Sequence, residues 1–127
     1  MTRKRPQNCS PEDFGALVEQ ALADLPEPYA KLAQEVSFVV EEEPPQEVLK
    51  DLELDSADDL LGLYHGMSIA DRSFFHPGGQ APARIAIYRG PILRLCGTAE
   101  EVVQEIRDTV VHELGHHVGL DDEEMPY

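Results

Sequence analysis

His112-Glu113-Leu114-Gly115-His116-His117-Val118-Gly119-Leu120-Asp121-Asp122 is the stretch that decides how the chain is read. Upstream of it, Thr98 with Glu101 three residues later forms a capping box, and the spacing predicts a helix from Ala99 to about Val118 with Gly119 as its stop. At about 100° per residue, Val103, Ile106, Val110 and Leu114 fall within about 80° of one another and make a core stripe. Measured from Val110, His112 sits at about 200° and His116 at about 240°, on the opposite side, with Glu113 at about 300°. The two histidines are one turn apart, roughly 6 Å along the axis, so both rings can converge on one ion about 2.0 to 2.1 Å from each nitrogen. Glu113 is placed to touch a water on that ion without ligating the ion itself. His117 points back onto the apolar stripe and reads as a hydrogen-bonded core histidine rather than a ligand.

The pattern continues past the helix. A glycine falls three residues after His116, and an acid three after that, at Asp122. Gly119 can take a positive φ without steric cost, which lets the chain turn back so that a side chain at 122 reaches the ion. Asp121 is the alternative third ligand, and Glu123 and Glu124 make a solvated acidic tail the competing account of both. Two histidines and one carboxylate leave a fourth tetrahedral position open, the arrangement of a catalytic rather than a structural zinc. Ligand histidines must be neutral, so occupancy is expected to fall below about pH 6.

The rest of the chain supplies a small scaffold. At 127 residues with 42% hydrophobic content, one core is the expectation: a tail over 1–9, disordered and carrying Arg3-Lys4-Arg5, and a single domain over 10–127. Ser10 and Pro11 open a helix over about 11 to 24, with Phe14, Leu17, Val18, Ala21, Leu22 and Leu25 on its apolar face. Pro28 starts a short second helix, and Val36 to Val40 reads as a buried strand ended by Glu41-Glu42-Glu43-Pro44-Pro45. Leu60 to Tyr64 and Arg84 to Tyr88 read as two more strands, with His76-Pro77-Gly78-Gly79 marking a loop between them and Gly90-Pro91 breaking the second. A short helix around Val48, Leu49 and Leu52 leads into Asp51, Glu53, Asp55, Asp58 and Asp59. That cluster fails as a calcium loop because Ser56 and Gly62 stand where glycine and glutamate are needed, so it reads as a solvated loop.

Charge narrows the partners. Asp and Glu total 25 against 10 Lys and Arg, a formal charge of −15, which argues against nucleic acid and anionic membranes and leaves a bias toward cationic peptides. No run approaches the ~18 apolar residues of a membrane span and no signal peptide is recognisable, so a cytoplasmic location is expected, with Cys9 and Cys96 as free thiols.

The segment 112–122 resembles the zincin metallopeptidases, in the glycine-turn form with aspartate in the third ligand place. The wider chain is similar to a family of small bacterial zincin-like metallopeptidases, the minimal zincins. The shared features are the opening helix Phe14 to Leu25, the strand ending in Glu-Glu-Glu-Pro-Pro at 41–45, Leu61-Gly62-Leu63-Tyr64 with Gly66, Ile87-Tyr88-Arg89-Gly90-Pro91 and His-Glu-Leu-Gly-His-His at 112–117. The likeness covers most of residues 11 to 125. It implies an α+β, compact zincin-like fold: a small mixed β-sheet packed with helices, including a C-terminal active-site helix. It further implies one Zn2+ per chain on His112, His116 and Asp122, with Glu113 as general base for peptide hydrolysis.

A full member of the glycine-turn group continues into a subdomain with a methionine turn, whereas five residues follow Asp122 here. The lower wall of a peptide cleft is therefore expected to be missing or to be supplied by a partner or a second copy. The rival reading is a zinc-binding regulatory or interaction module with weak or no turnover. For an extended substrate, the strand 84–88 is the expected pairing edge. Tyr64, Tyr88 and Tyr127 are the candidates for steadying an oxyanion, with nothing in the sequence to choose among them.

Overall fold

A computed structural model describes residues 9–66 and 83–119 of the chain. The Ser10 hydroxyl accepts from the Asp13 N–H at 3.1 Å, and the Asp13 carboxylate accepts the Ser10 N–H at 3.4 Å. This reciprocal cap starts helix α1, Pro11–Ala23, which buries Phe14, Val18 and Ala21. Cys9, expected in the tail, is instead buried in the core, and its carbonyl accepts a hydrogen bond from the Arg89 guanidinium. The tail proper, 1–8, lies outside the described residues.

Helix α2, Tyr29–Leu32, runs into a 3-10 turn over Ala33–Glu35 and then strand β1, Ser37–Glu41. Helix α3, Gln46–Asp51, and a 3-10 turn at Ala57–Asp59 precede strand β2, Gly62–His65. Strand β3, Arg84–Tyr88, leads directly into helix α4, Arg89–Leu95, and helix α5, Ala99–His117, follows. Gly90-Pro91 ends β3 as expected, yet it does so inside the first turn of a helix. A proline there clashes with no preceding turn and gives up only an N–H that has no helical partner.

Among the described residues, three strands form one mixed sheet in the order β1-β3-β2. β1 pairs with β3 in parallel, Ser37 opposite Arg84 through Glu41 opposite Tyr88, and β2 pairs antiparallel, Gly62 opposite Ile87 through His65 opposite Arg84. Two expectations are corrected by this order. Strand 84–88 is central, with Ile85, Ala86, Ile87 and Tyr88 fully buried, so it offers no edge to a substrate. The β-branched run at 36–40 is an outer strand rather than a buried one: Val39 and Val40 are 37% and 38% exposed. Hydrophobic runs report strand propensity, whereas sheet position depends on pairing partners far away in sequence.

The core lies between α1, α5 and the sheet face carrying Ile85 and Ile87. α5 supplies Val102, Ile106, Val110, Val111 and Leu114, all essentially inaccessible. Each such side chain stabilises the fold by roughly 1.5–3 kcal/mol relative to exposure. Because α5 touches both α1 and the sheet, its buried arc is wider than the stripe in the sequence. Cys9 and Cys96 are free thiols. Among the described residues no helix is long and apolar enough to cross a membrane.

The acidic segment after α3 is tied to α4 from outside. Arg94 donates to Glu43 through both terminal nitrogens, at 2.9 and 2.8 Å, and its Nε reaches Asp58. The Arg94 partner holds the Glu43 carboxyl below the ordinary carboxylate range.

Candidate metal centre

Helix α5 is fixed at both ends. The Thr98 hydroxyl accepts the Glu101 N–H at 3.2 Å, while the Glu101 carboxylate accepts from the Gly97 N–H and the Thr98 hydroxyl, not from the Thr98 backbone as a full capping box requires. At the other end Gly119 stands at φ 95° with its N–H on the His116 carbonyl at 3.0 Å, the left-handed turn expected of that glycine. Asp121 and Asp122 lie outside the described residues, as do His76 and Tyr127.

Near the end of this helix His112 and His116 stand side by side, their ring centroids 5.1 Å apart and nearly perpendicular. One donor atom from each of His112, Glu113 and His116 falls within 4.8 Å of the others. Two nitrogens on one tetrahedral zinc lie roughly 3.3 Å apart, so small side-chain rotations bring the pair onto a single ion. The donor set suits that ion: two imidazoles that bind in their neutral form, half-open to solvent, beside a carboxylate.

The sequence model of the zincin-like metallopeptidase family matches residues 33–127. The chain belongs to this family. The match takes in the sheet and α5 but leaves α1 outside it, although α1 packs directly on α5. No curated protein matches the chain.

In this member of the family, Glu113 differs from His112 and His116 in being only 8% exposed. Its position beside the core stripe explains that burial, and a buried carboxylate needs donors. The Tyr64 backbone N–H donates to Glu113 Oε1 at 2.8 Å, so β2 holds one carboxylate oxygen. His117 is fully buried, as its helical angle predicts, and it is hydrogen-bonded at both ring nitrogens. The Tyr64 hydroxyl lies 2.8 Å from Nδ1, and Glu35 Oε1 lies 3.0 Å from Nε2. None of these three contacts is visible in sequence, where the partners stand 49 (Tyr64 and Glu113), 53 (Tyr64 and His117) and 82 (Glu35 and His117) positions apart.

The site opens into a cleft of about 770 Å³ between α5 and the segment from Leu52 to Tyr64. Its walls carry leucines from that segment and, on α5, Glu105, Asp108, Thr109, His112, Glu113 and His116. These residues recur at three- and four-residue spacing, so one helix face runs from the acids to the histidines. Glu101, about one turn before Glu105, is turned to the helix cap, as the sequence predicts. Asp59 of the acidic segment lines the opposite wall. Of the candidate tyrosines, Tyr64 lines the cleft with its hydroxyl engaged by His117, and Tyr88 is fully buried with its phenol pushed up by burial first and Glu41 next.

Burial, and secondarily Asp108, pushes the Glu105 carboxyl above its ordinary value. A carboxyl raised in the folded chain binds its proton more tightly there than when unfolded. Its stabilising effect is full below the unfolded value and is lost as pH rises through the folded one. Glu105→Gln is therefore expected to raise the melting temperature slightly at pH 7.5 and to leave it unchanged near pH 3.5. Thermal melts followed by circular dichroism at the two values check this, and an equal shift at both would contradict it.

Proposed function

We propose that the protein is a zinc-dependent peptidase in which His112 and His116 hold the ion and Glu113 is the general base. The observation that carries the reading is Glu113: a nearly buried carboxylate, beside two imidazoles at ligand spacing, with one oxygen held by Tyr64. Zinc bound there supplies a Lewis acid that polarises a peptide carbonyl and acidifies water. His112 and His116 contribute neutral ring nitrogens to it, and Asp122 is the third ligand in this reading. Glu113, with one oxygen held by the Tyr64 N–H, takes a proton from the attacking water and returns it to the leaving amine.

An extended peptide would lie along β2, an outer strand whose residues Gly62 to Tyr64 line the cleft, rather than along the central β3. Glu105, Asp108 and Asp59 give that cleft negative walls, which favours peptides carrying Lys or Arg, and the leucines opposite favour an apolar neighbour.

The test is metal content and cleavage together. Purified protein supplied with zinc is expected to hold one equivalent by mass spectrometry, and His112→Ala and His116→Ala less than a tenth. Against an unbiased peptide library, the zinc-loaded protein is expected to cut peptides enriched in basic residues, to stop on chelation and to resume when zinc is returned. One bound zinc with no cleavage would leave a metal-stabilised binding module, and no bound zinc would remove both readings.

A further inference from the structure

We propose that Glu35, His117 and Tyr64 form one positioning chain that holds the Glu113 carboxylate in register with the histidines. The inference rests on the reading of Glu113 as the base, and it assigns tasks to three residues that do not touch the reacting atoms. A fully buried histidine is costly unless both ring nitrogens find partners, and here the partners come from two different elements. With Glu35 ionised, His117 Nε2–H donates to Glu35 Oε1, which leaves Nδ1 to accept the Tyr64 hydroxyl proton. One carboxylate at the end of the 3-10 turn before β1 thereby selects the tautomer that receives Tyr64.

Tyr64 is then attached to α5 at two points. Its side chain is held at His117 and its backbone N–H holds Glu113, four residues and about one turn earlier on the same helix. Two attachments one turn apart stop β2 from sliding along α5 and from rolling against it, where either alone would permit one of these movements. The neighbouring chain is shaped for the arrangement: Gly66 has φ 135°, and a Cβ there would come within 3.3 Å of the Tyr64 hydroxyl and 3.1 Å of the Ala83 backbone. A side chain at 66 would be strained by its backbone and would crowd the hydroxyl that reaches His117.

Glu35 is the place to test this, because its side chain is 48% exposed and its loss removes little packing. Backbone hydrogen exchange read by NMR reports the Tyr64 N–H directly, with or without zinc. Glu35→Ala is expected to speed exchange of the Tyr64 amide about tenfold or more while leaving the Ala86 amide at the centre of the sheet unchanged. Glu35→Gln, whose amide oxygen still accepts from Nε2–H, is expected to behave as wild type. In peptide cleavage, Glu35→Ala is expected to lower kcat roughly tenfold to a hundredfold with KM and zinc content unchanged. Tyr64→Phe, which keeps the ring and the N–H, is expected to give the same exchange pattern, and the double variant to go no further than the larger single. Wild-type exchange at Tyr64 in Glu35→Ala, equal acceleration at Ala86, or an unchanged kcat would each overturn the proposal. A Tyr64 amide released by Glu35→Ala in a protein that cleaves no peptide would uphold the positioning chain and remove the peptidase reading.

Discussion

Glu113→Gln is expected to retain its zinc and its fold while losing peptide cleavage by about 10²- to 10⁴-fold in kcat, the usual contribution of a positioned general base. The replacement is nearly isosteric. Its amide oxygen still accepts the Tyr64 N–H that stands 2.8 Å from Glu113 Oε1, so the side chain stays where the carboxylate was. That same contact dictates which way the amide lies, with its NH₂ turned away from Tyr64. A donor then occupies the place where a proton acceptor is needed. Kinetics on a peptide taken from the library, with zinc measured on the same preparation, separate the outcomes. Retention of half the activity would show that another group takes the proton, and loss of zinc would make Glu113 a ligand instead.

The second large effect is expected at Gly62, in the strand that carries Tyr64. A Cβ there would lie 2.6 Å from Thr109 Cγ2 and 2.9 Å from the Ala86 carbonyl oxygen. The first obstacle is the methyl of a β-branched side chain on α5, which has few rotamers to retreat to, and the second is backbone of the central strand. Neither yields cheaply, so Gly62→Ala is expected to cost about 1–3 kcal/mol and to lower the melting temperature by several degrees. Thr109→Ser removes the methyl but not the carbonyl, so the double variant is expected to recover only part of the loss. Thermal unfolding of the three variants checks this, and an unchanged melting temperature in Gly62→Ala would contradict it. Cleavage is expected to fall along with stability, since pushing β2 off α5 also draws the Tyr64 N–H from Glu113.

What was legible in sequence divides along local and non-local lines. α5 and α1 were readable almost to the residue because caps, periodicity and stops are written within one or two turns: Thr98 and Gly119 for one, Ser10-Pro11 for the other. The histidine pair and Glu113 were readable for the same reason, since helix geometry alone sets their angles. β3 was bounded correctly yet misplaced in the sheet, because strand order is decided by pairing between residues 19 to 47 apart. α4 was missed because Gly90-Pro91 is a breaker in a strand and harmless at a helix start. His117 was readable as a core histidine, but its partners Glu35 and Tyr64 were not, because each contact crosses more than 50 residues of chain.

The double duty of α5 has a consequence for how the protein is made. The helix that presents His112 and His116 also covers the apolar faces of α1 and β3. During synthesis, Phe14, Val18 and Ala21 emerge some 80 to 100 residues before the side chains that will bury them. At usual elongation rates that gap lasts on the order of 10 s, during which the nascent chain exposes a half-built core to chaperones and to other chains. Burial of that core and assembly of the histidine pair then happen in one event, so an immature chain has no interval in which it is folded yet lacks its histidine face.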